Sequence, residues 1–446
     1  MTITEFGQRL RSKQTSSAEI TGECLKRIEA ENPRLNAFIL VMADEARRQA
    51  HQADAELAAG RDHGPLHGVP VSLKDLFDVR GTATTAASRV REGHVASADA
   101  PSVTYLRHAG AVIIGKTNLH EFAFGTTNED SAFGPALNPH DHARSPGGSS
   151  GGSAASVAAG MALATLGTDT GGSIRIPAAA CGIVGLKPAF GEVSTDGVVP
   201  LSHTLDHVGP LALTVADAWH MYHALIGRPA TRPLSAAPVS SLRLAVPRRY
   251  FCDALDDEVR TRFDTALAGL RQSGARVDEV EIQHADVIAP TYLHIVLSDA
   301  AAYHAATLDS VPERYTPAVR LRLEMGRCIL AEDYVRALAG RETLRREVDA
   351  ALAGRDAIVL PTLPIPAPLI GATMVRVGSR DEPVRNMMLR LTQLFNVTGH
   401  PAVSLPCGNT RAGLPCGLQL AGARGQTDVL LSVALAAERA LESARG

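Results

Sequence analysis

Two glycine-serine turns, Ser145-Pro-Gly-Gly-Ser-Ser-Gly-Gly-Ser153 and Gly167-Thr-Asp-Thr-Gly-Gly-Ser-Ile-Arg175, flank a single alanine-rich helical segment, and this alternation restricts the fold more than anything else in the chain. Glycine lets a backbone turn where a Cβ would clash. Placed on both sides of Ser149 and Ser150, it allows two hydroxyls and several N–H groups to gather around one small centre. The intervening residues Ala154, Ala155, Val157, Ala158, Ala159 and Ala162 present small faces that permit close packing. A merely flexible Gly/Ser loop would not need a second Gly-Gly-Ser one helix later.

Apolar runs of strand length alternate with helical patterns elsewhere. A short helix after Val103 is followed by Ala111-Val-Ile-Ile-Gly115. Leu242-Arg-Leu-Ala-Val246, a helix of roughly 256–273 and Arg276-Val-Asp-Glu-Val-Glu-Ile282 repeat the unit, and Ala357-Ile-Val-Leu360 adds a further run. Such alternation predicts an α/β fold, a sheet covered by helices. The first 60 residues read as helical and wrap the core. Ser16 with Glu19 forms a capping box, Ile20, Cys24 and Ile28 share one face, and a second helix over 43–59 stops at Gly60. Residues 61–446 then form one catalytic unit, within which the Pro-rich stretch Gly227–Ser240 leads to a variable, substrate-covering region of about 240–380.

Composition narrows the function classes. Forty-four basic against forty-seven acidic side chains give a formal charge of −3, without a basic tract to hold a phosphate backbone, so direct nucleic-acid binding is not expected. No run reaches the ~18 apolar residues needed to cross a bilayer. Six scattered cysteines form neither a CxxC pair nor a disulfide framework, which favours a reduced, cytoplasmic protein.

Several motifs compete for the chemistry. Gly147-Gly-Ser-Ser-Gly151 matches the nucleophile elbow of α/β-hydrolases literally, but a polar loop, Asn138–Ser145, stands where the elbow needs a strand. His120-Glu121 lacks the second histidine of a zinc helix, and His140 with His142 has no further ligand cluster; exposure or local hydrogen bonding is expected of all three, and no metal site. His203 and His207 suggest a serine-histidine pairing only weakly. Lys74 lies in the apolar run Gly68-Val-Pro-Val-Ser-Leu-Lys-Asp-Leu-Phe77. A free amine titrates near ~10.4, and bringing it to ~7.5 takes about 4 kcal/mol of destabilisation of the ammonium, which burial can supply. Asp75 would oppose that unless it points elsewhere.

Lys74, Ser149 and Ser173 together resemble the catalytic set of the amidase signature family, hydrolases of carboxamides that include the glutamine-hydrolysing subunit of aminoacyl-tRNA amidotransferases. The similarity runs from about Pro65 to Pro210 and resumes from Asn396 to Leu420. It implies a single large domain with a mixed sheet covered on both faces, Ser173 as nucleophile, Ser149 as relay after a cis peptide bond, and Lys74 as neutral base. The N–H groups of Thr170, Gly171, Gly172 and Ser173 are placed to form an oxyanion hole, with Ser150, Asp169 and Arg175 as support. Arg175 either anchors a substrate carboxylate or holds Asp169, and the second role is favoured.

Relatives acting on acidic amides or ureas use arginines from the variable region, which makes Tyr315, Arg320 and Arg322 the substrate-binding candidates. Arg320 and Arg322 face different directions if helical. The expected function is hydrolysis of the C–N bond of a small-molecule carboxamide or ureide through a serine acyl-enzyme, without a cofactor, and the resemblance leaves room for a homodimer and a small accessory protein. The alternative is the glutamine-hydrolysing component of an amidotransferase. Such proteins carry an Asp seven residues before the asparagine matching Asn396, where this chain has Leu389. A non-catalytic scaffold is disfavoured because all three catalytic positions are intact.

Overall fold

The computed structural model describes residues 1–228 and 232–443. Eleven strands form one continuous mixed sheet: β1 (Phe38–Val41), β2 (Pro70–Lys74), β3 (Val112–Thr117), β4 (Ala164–Asp169), β5 (Val184–Lys187), β6 (His207–Ala212), β7 (Arg243–Pro247), β8 (Arg276–Val280), β9 (Ala357–Pro361) and, after the hairpin of β10 (Met374–Val377) and β11 (Arg380–Pro383), β12 (Ala402–Asn409) and β13 (Pro415–Ala421). Their order is β1-β3-β2-β4-β6-β5-β12-β13-β9-β7-β8. Parallel pairing joins β3, β2 and β4 at one end and β9, β7 and β8 at the other, with antiparallel strands between. Every residue of β2, β3, β4, β5, β6, β9 and β13 is buried, so helices cover both faces of the centre. The outer strand β8 is largely exposed and carries Arg276, Asp278 and Glu279, charges that suit a sheet edge.

The first 60 residues are not wholly helical. Helices Ile3–Arg11, Ser17–Leu35 and Ala43–Ala58 are present, and Ser16 and Glu19 form the capping box. Between them the apolar run Phe38-Ile-Leu-Val41, following a left-handed Asn36, pairs antiparallel with β3 and so enters the sheet. The 240–380 region likewise does more than cover the core, since it contributes β7, β8 and β9 as well as helices Asp257–Gln272, Ile288–Ser310, Pro317–Gly326 and Ala331–Leu352. In the Pro-rich stretch before it, Pro229 lies outside the described residues, while Ala237 N–H donates to Ser432 O at 3.1 Å. Among the described residues no helix is long and apolar enough to cross a membrane.

This topology positions the site. Parallel neighbours end at the same edge of a sheet, so Lys74, the last residue of β2, and Asp169, the last of β4, emerge together. The helix Gly151–Ala158 packs on both strands, and its small buried residues let it approach closely. Its start brings Ser149 and Ser150 to that edge.

Candidate active site

Lys74 Nζ lies 2.7 Å from Ser149 Oγ and 2.8 Å from Thr168 Oγ1, and all three side chains are buried. Burial pulls the amine down to about 7, against the opposing attraction of Asp206 and Asp169. Asp75 points away from it: its Oδ1 is 2.6 Å from Lys116 Nζ and its Oδ2 accepts from Thr85 N–H at 3.0 Å. The carboxylate adjacent in sequence is therefore occupied by another cation.

The first turn is tied to the second. The Gly148–Ser149 peptide bond is cis. Ser149 O accepts from His120 N–H at 3.1 Å, Ser150 N–H donates to Ser173 O at 3.3 Å, and Ser150 Oγ donates to Thr168 O at 3.2 Å.

The second turn is fixed by a buried ion pair. Asp169 Oδ2 accepts from Arg175 Nε at 3.0 Å and from Ile174 N–H at 3.1 Å, and its Oδ1 accepts from an Arg175 terminal nitrogen at 2.9 Å and from Asn396 Nδ2 at 2.8 Å. Burial alone would raise this carboxyl, but the Arg175 guanidinium overcomes it and holds Asp169 well below the usual carboxylate range. The other Arg175 donors go to Thr392 O, Gln419 Oε1 and Asn396 Oδ1. All five N–H groups of Arg175 are thus committed inside the protein, which leaves none for a substrate.

Between Asp169 and Arg175, Thr170 Oγ1 donates to Asp206 Oδ1 at 2.5 Å, and Thr392 Oγ1 donates to Gly171 O at 2.6 Å. Gly172 has a φ of +140°, and a Cβ there would collide with Thr392; a Cβ at Gly171 would collide with the Tyr292 hydroxyl. These two glycines are required by close approach on both sides of the turn. Among the described residues the amide N–H groups of Gly171, Gly172 and Ser173 engage no acceptor. Ser173 is 5% exposed. Free backbone donors in a buried turn beside a hydroxyl can receive a developing oxyanion.

Other residues singled out in the sequence lie elsewhere. Tyr315 is buried with its hydroxyl beside Thr307 and His304. Arg320 has a side chain 44% exposed and pairs with Glu324 at 2.6 Å, whereas Arg322 turns inward, donates to Phe124 O and lies 5.8 Å from the Phe124 ring. His207 is buried and its Nδ1 faces Leu205 O at 2.7 Å. His120 is buried rather than exposed, with Nε2 3.1 Å from Asp130. Sequence reasoning did not find Thr168, Thr392, Tyr292 or Gln419. Thr168 had a signal, being inside the second turn; Thr392 and Tyr292 had none, because they meet the turn only through tertiary packing.

Comparison with known proteins supplies a family. The model of the Amidase family matches residues 19–431. An amidase of Pseudomonas putida is 40% identical over 93% of this chain and 90% of its own length. A glutamyl-tRNA(Gln) amidotransferase component from Koribacter versatilis (strain Ellin345) is 37% identical over 97% of this chain and 96% of its own. A crystal structure of an amidase superposes with a TM-score of 0.93 at 38% identity, covering 98% of this chain and 99% of that one.

Proposed function

The chain belongs to the amidase signature family of serine hydrolases, enzymes that cleave C–N bonds, and from that premise we propose that it hydrolyses a small-molecule carboxamide or ureide through an acyl-enzyme on Ser173. The observation that carries this reading is the contact of 2.7 Å between Ser149 and a lysine amine that burial brings down to about 7.

In the proposed cycle neutral Lys74 takes the proton of Ser149, which takes that of Ser173 as its oxygen attacks the carbonyl carbon. The carbonyl electrons move to oxygen, where the free N–H groups of Gly171, Gly172 and Ser173 stabilise them; the Thr170 N–H, expected as a further donor, likewise engages no acceptor among the described residues, while its hydroxyl closes the turn through Asp206. Collapse of the intermediate expels the amine, which receives the proton back through Ser149, because an amide anion is too poor a leaving group. Water then repeats the sequence on the ester, releasing the acid. Ser150, Asp169 and Arg175 hold the two turns in register.

The glutamine-hydrolysing reading has relatives named as amidotransferase components in its favour. Against it stands Leu389, a buried aliphatic side chain at the place where such proteins carry a carboxylate. Within this proposal residues 61–446 are the catalytic unit and 240–380 its substrate-covering part. Cys24, Cys181, Cys252 and Cys416 are buried as free thiols, which supports action in the reducing cytoplasm.

The test is a panel of aryl, alkyl and carboxylated amides, ureas and glutamine, offered to purified, metal-stripped protein with release of ammonia or amine as readout. Turnover of non-glutamine amides is expected. Complete dependence on added metal would overturn the mechanism, and preference for glutamine would overturn the substrate class.

A further inference from the structure

Three successive carbonyls of the second turn each accept a hydrogen bond, and the donors differ in kind. Gly172 O accepts from Ile176 N–H at 2.7 Å, a bond of helical spacing at the start of the helix Arg175–Cys181, and Ser173 O accepts from Ser150 N–H at 3.3 Å. Gly171 O accepts from the Thr392 hydroxyl at 2.6 Å, a side chain 221 positions away in the chain. A trans peptide is planar with its C=O and N–H on opposite sides, so whatever holds a carbonyl also aims the N–H that follows it. Helix formation thereby aims the Ser173 N–H. No local bond does the same for the Gly172 N–H.

The Gly171–Gly172 peptide is also the one least able to hold itself. Neither flanking residue carries a Cβ, and Gly172 already has a φ of +140°, so side-chain sterics do not oppose rotation of this unit. The glycine pair that lets the turn come so close to Tyr292 and Thr392 therefore needs an anchor from outside the turn.

Thr392 is built to be that anchor. It is fully buried, its N–H donates to Leu389 O at 3.2 Å, and its carbonyl accepts from Arg175 at 2.9 Å, so its backbone is fixed on both sides. Leu389 O also lies 3.3 Å from the Thr392 hydroxyl. A hydroxyl carries a single proton, and the contact of 2.6 Å to Gly171 O is much the better hydrogen bond. We propose that Thr392 is a positioning residue of the oxyanion hole, its hydroxyl locking the Gly171–Gly172 peptide with the Gly172 N–H turned toward the reacting carbonyl. Without that hydroxyl the buried Gly171 O turns to seek another donor, and the flipped peptide sets a carbonyl oxygen where the oxyanion must form. The inference rests on the amide-hydrolase reading and adds to it a residue, outside the Lys-Ser-Ser set, on which stabilisation of the oxyanion depends.

The experiment compares wild type with three variants. Thr392→Val keeps the shape and removes the donor, Thr392→Ser keeps the donor and removes the methyl, and Thr392→Ala removes both. The rate of Ser173 labelling by an alkyl fluorophosphonate, whose P=O oxygen takes the place of the oxyanion, is read by intact mass without need of an amide. Steady-state kinetics use the amide that wild type turns over fastest. Thr392→Val and Thr392→Ala should lose roughly tenfold to hundredfold in labelling rate and in kcat, less than the ~10²–10³ for deleting a donor because the neighbouring N–H groups remain, while KM stays within about threefold. Thr392→Ser should stay within about threefold of wild type. A role in packing alone predicts the opposite order, with the serine variant damaged and the valine variant spared, and that order would overturn the proposal, as would a loss in KM rather than kcat. If Thr392→Val does not fold, the serine and alanine variants decide, since they differ only by the hydroxyl, and equal rates for the two refute the lock. Labelling that depends on the Thr392 hydroxyl without turnover of any amide keeps the lock and removes the amide reading. Amide turnover undiminished in Thr392→Val does the reverse.

Discussion

Replacing Lys74 with methionine should abolish activity and yet stabilise the protein at neutral pH. The amine is buried and its titration falls from the ordinary value of 10.5 to about 7, which corresponds to about 5 kcal/mol of destabilisation of the ammonium form. Because the folded-state value is depressed, the full cost is borne below pH 7. Between pH 7 and 10.5 the unfolded chain binds a proton that the folded chain has lost, and Lys74 becomes progressively less costly as pH rises. At pH 7 the residual cost is about 4 kcal/mol. Methionine removes it but also deletes the hydrogen bonds to Ser149 and Thr168, at ~1 kcal/mol each. The net expectation is a gain of about 2 kcal/mol at pH 7, vanishing toward pH 9 and turning into a loss of about 1 kcal/mol near pH 10. Urea unfolding followed by circular dichroism from pH 6 to 10 measures this, alongside ammonia release, which should fall by ~10²–10⁴ if the amine is the base. In wild type the acylation rate should rise through about pH 7 as the amine deprotonates. A variant less stable than wild type throughout pH 6–8, or a stability difference that does not move with pH, would refute the reasoning.

Ser173→Ala should form no adduct with a reactive phosphonate by intact-mass analysis, while Ser149→Ala keeps slow labelling because the attacking oxygen remains; an adduct mapped to Ser149 in wild type would reverse the two roles. Gly172→Ala should reduce kcat by ~10²–10³ with little change in KM, because its Cβ would displace Thr392 and turn the N–H donors away from the oxyanion. An unchanged kcat in that variant would remove the turn from the mechanism.

What was legible in the sequence follows from which interactions are local. Strands β3, β7 and β9 announced themselves as short apolar runs because their burial on both faces selects such runs wherever they occur. Strand β1 did not, since Phe38-Ile-Leu-Val41 is equally compatible with a connector between two helices and becomes a strand only by pairing with β3. The two serine turns were readable because glycine itself signals a positive φ, as at Gly147 and Gly172, or a close approach, as at Gly171, whichever residue turns out to make it. Lys74 was readable as a base only through its apolar neighbours, and its second partner, Thr168, belongs to another strand.

Arginines mark the limit of such reading most sharply. Arg320 and Arg322 lie on opposite sides of one helix, as their spacing dictates, but nothing local says which side is inward; the carbonyl of Phe124, far away in the chain, decides it. Arg175 reads in the same way as a candidate for the substrate. Its role emerges only when acceptors are matched to donors. Arg175 is buried with a carboxylate, two side-chain amide oxygens and a backbone carbonyl, and so it supports the fold of the turn. A guanidinium whose five donors are all answered inside the protein has none left to read a substrate, so Arg175 drops out as a recognition residue only once its acceptors, spread over residues 169 to 419, are known.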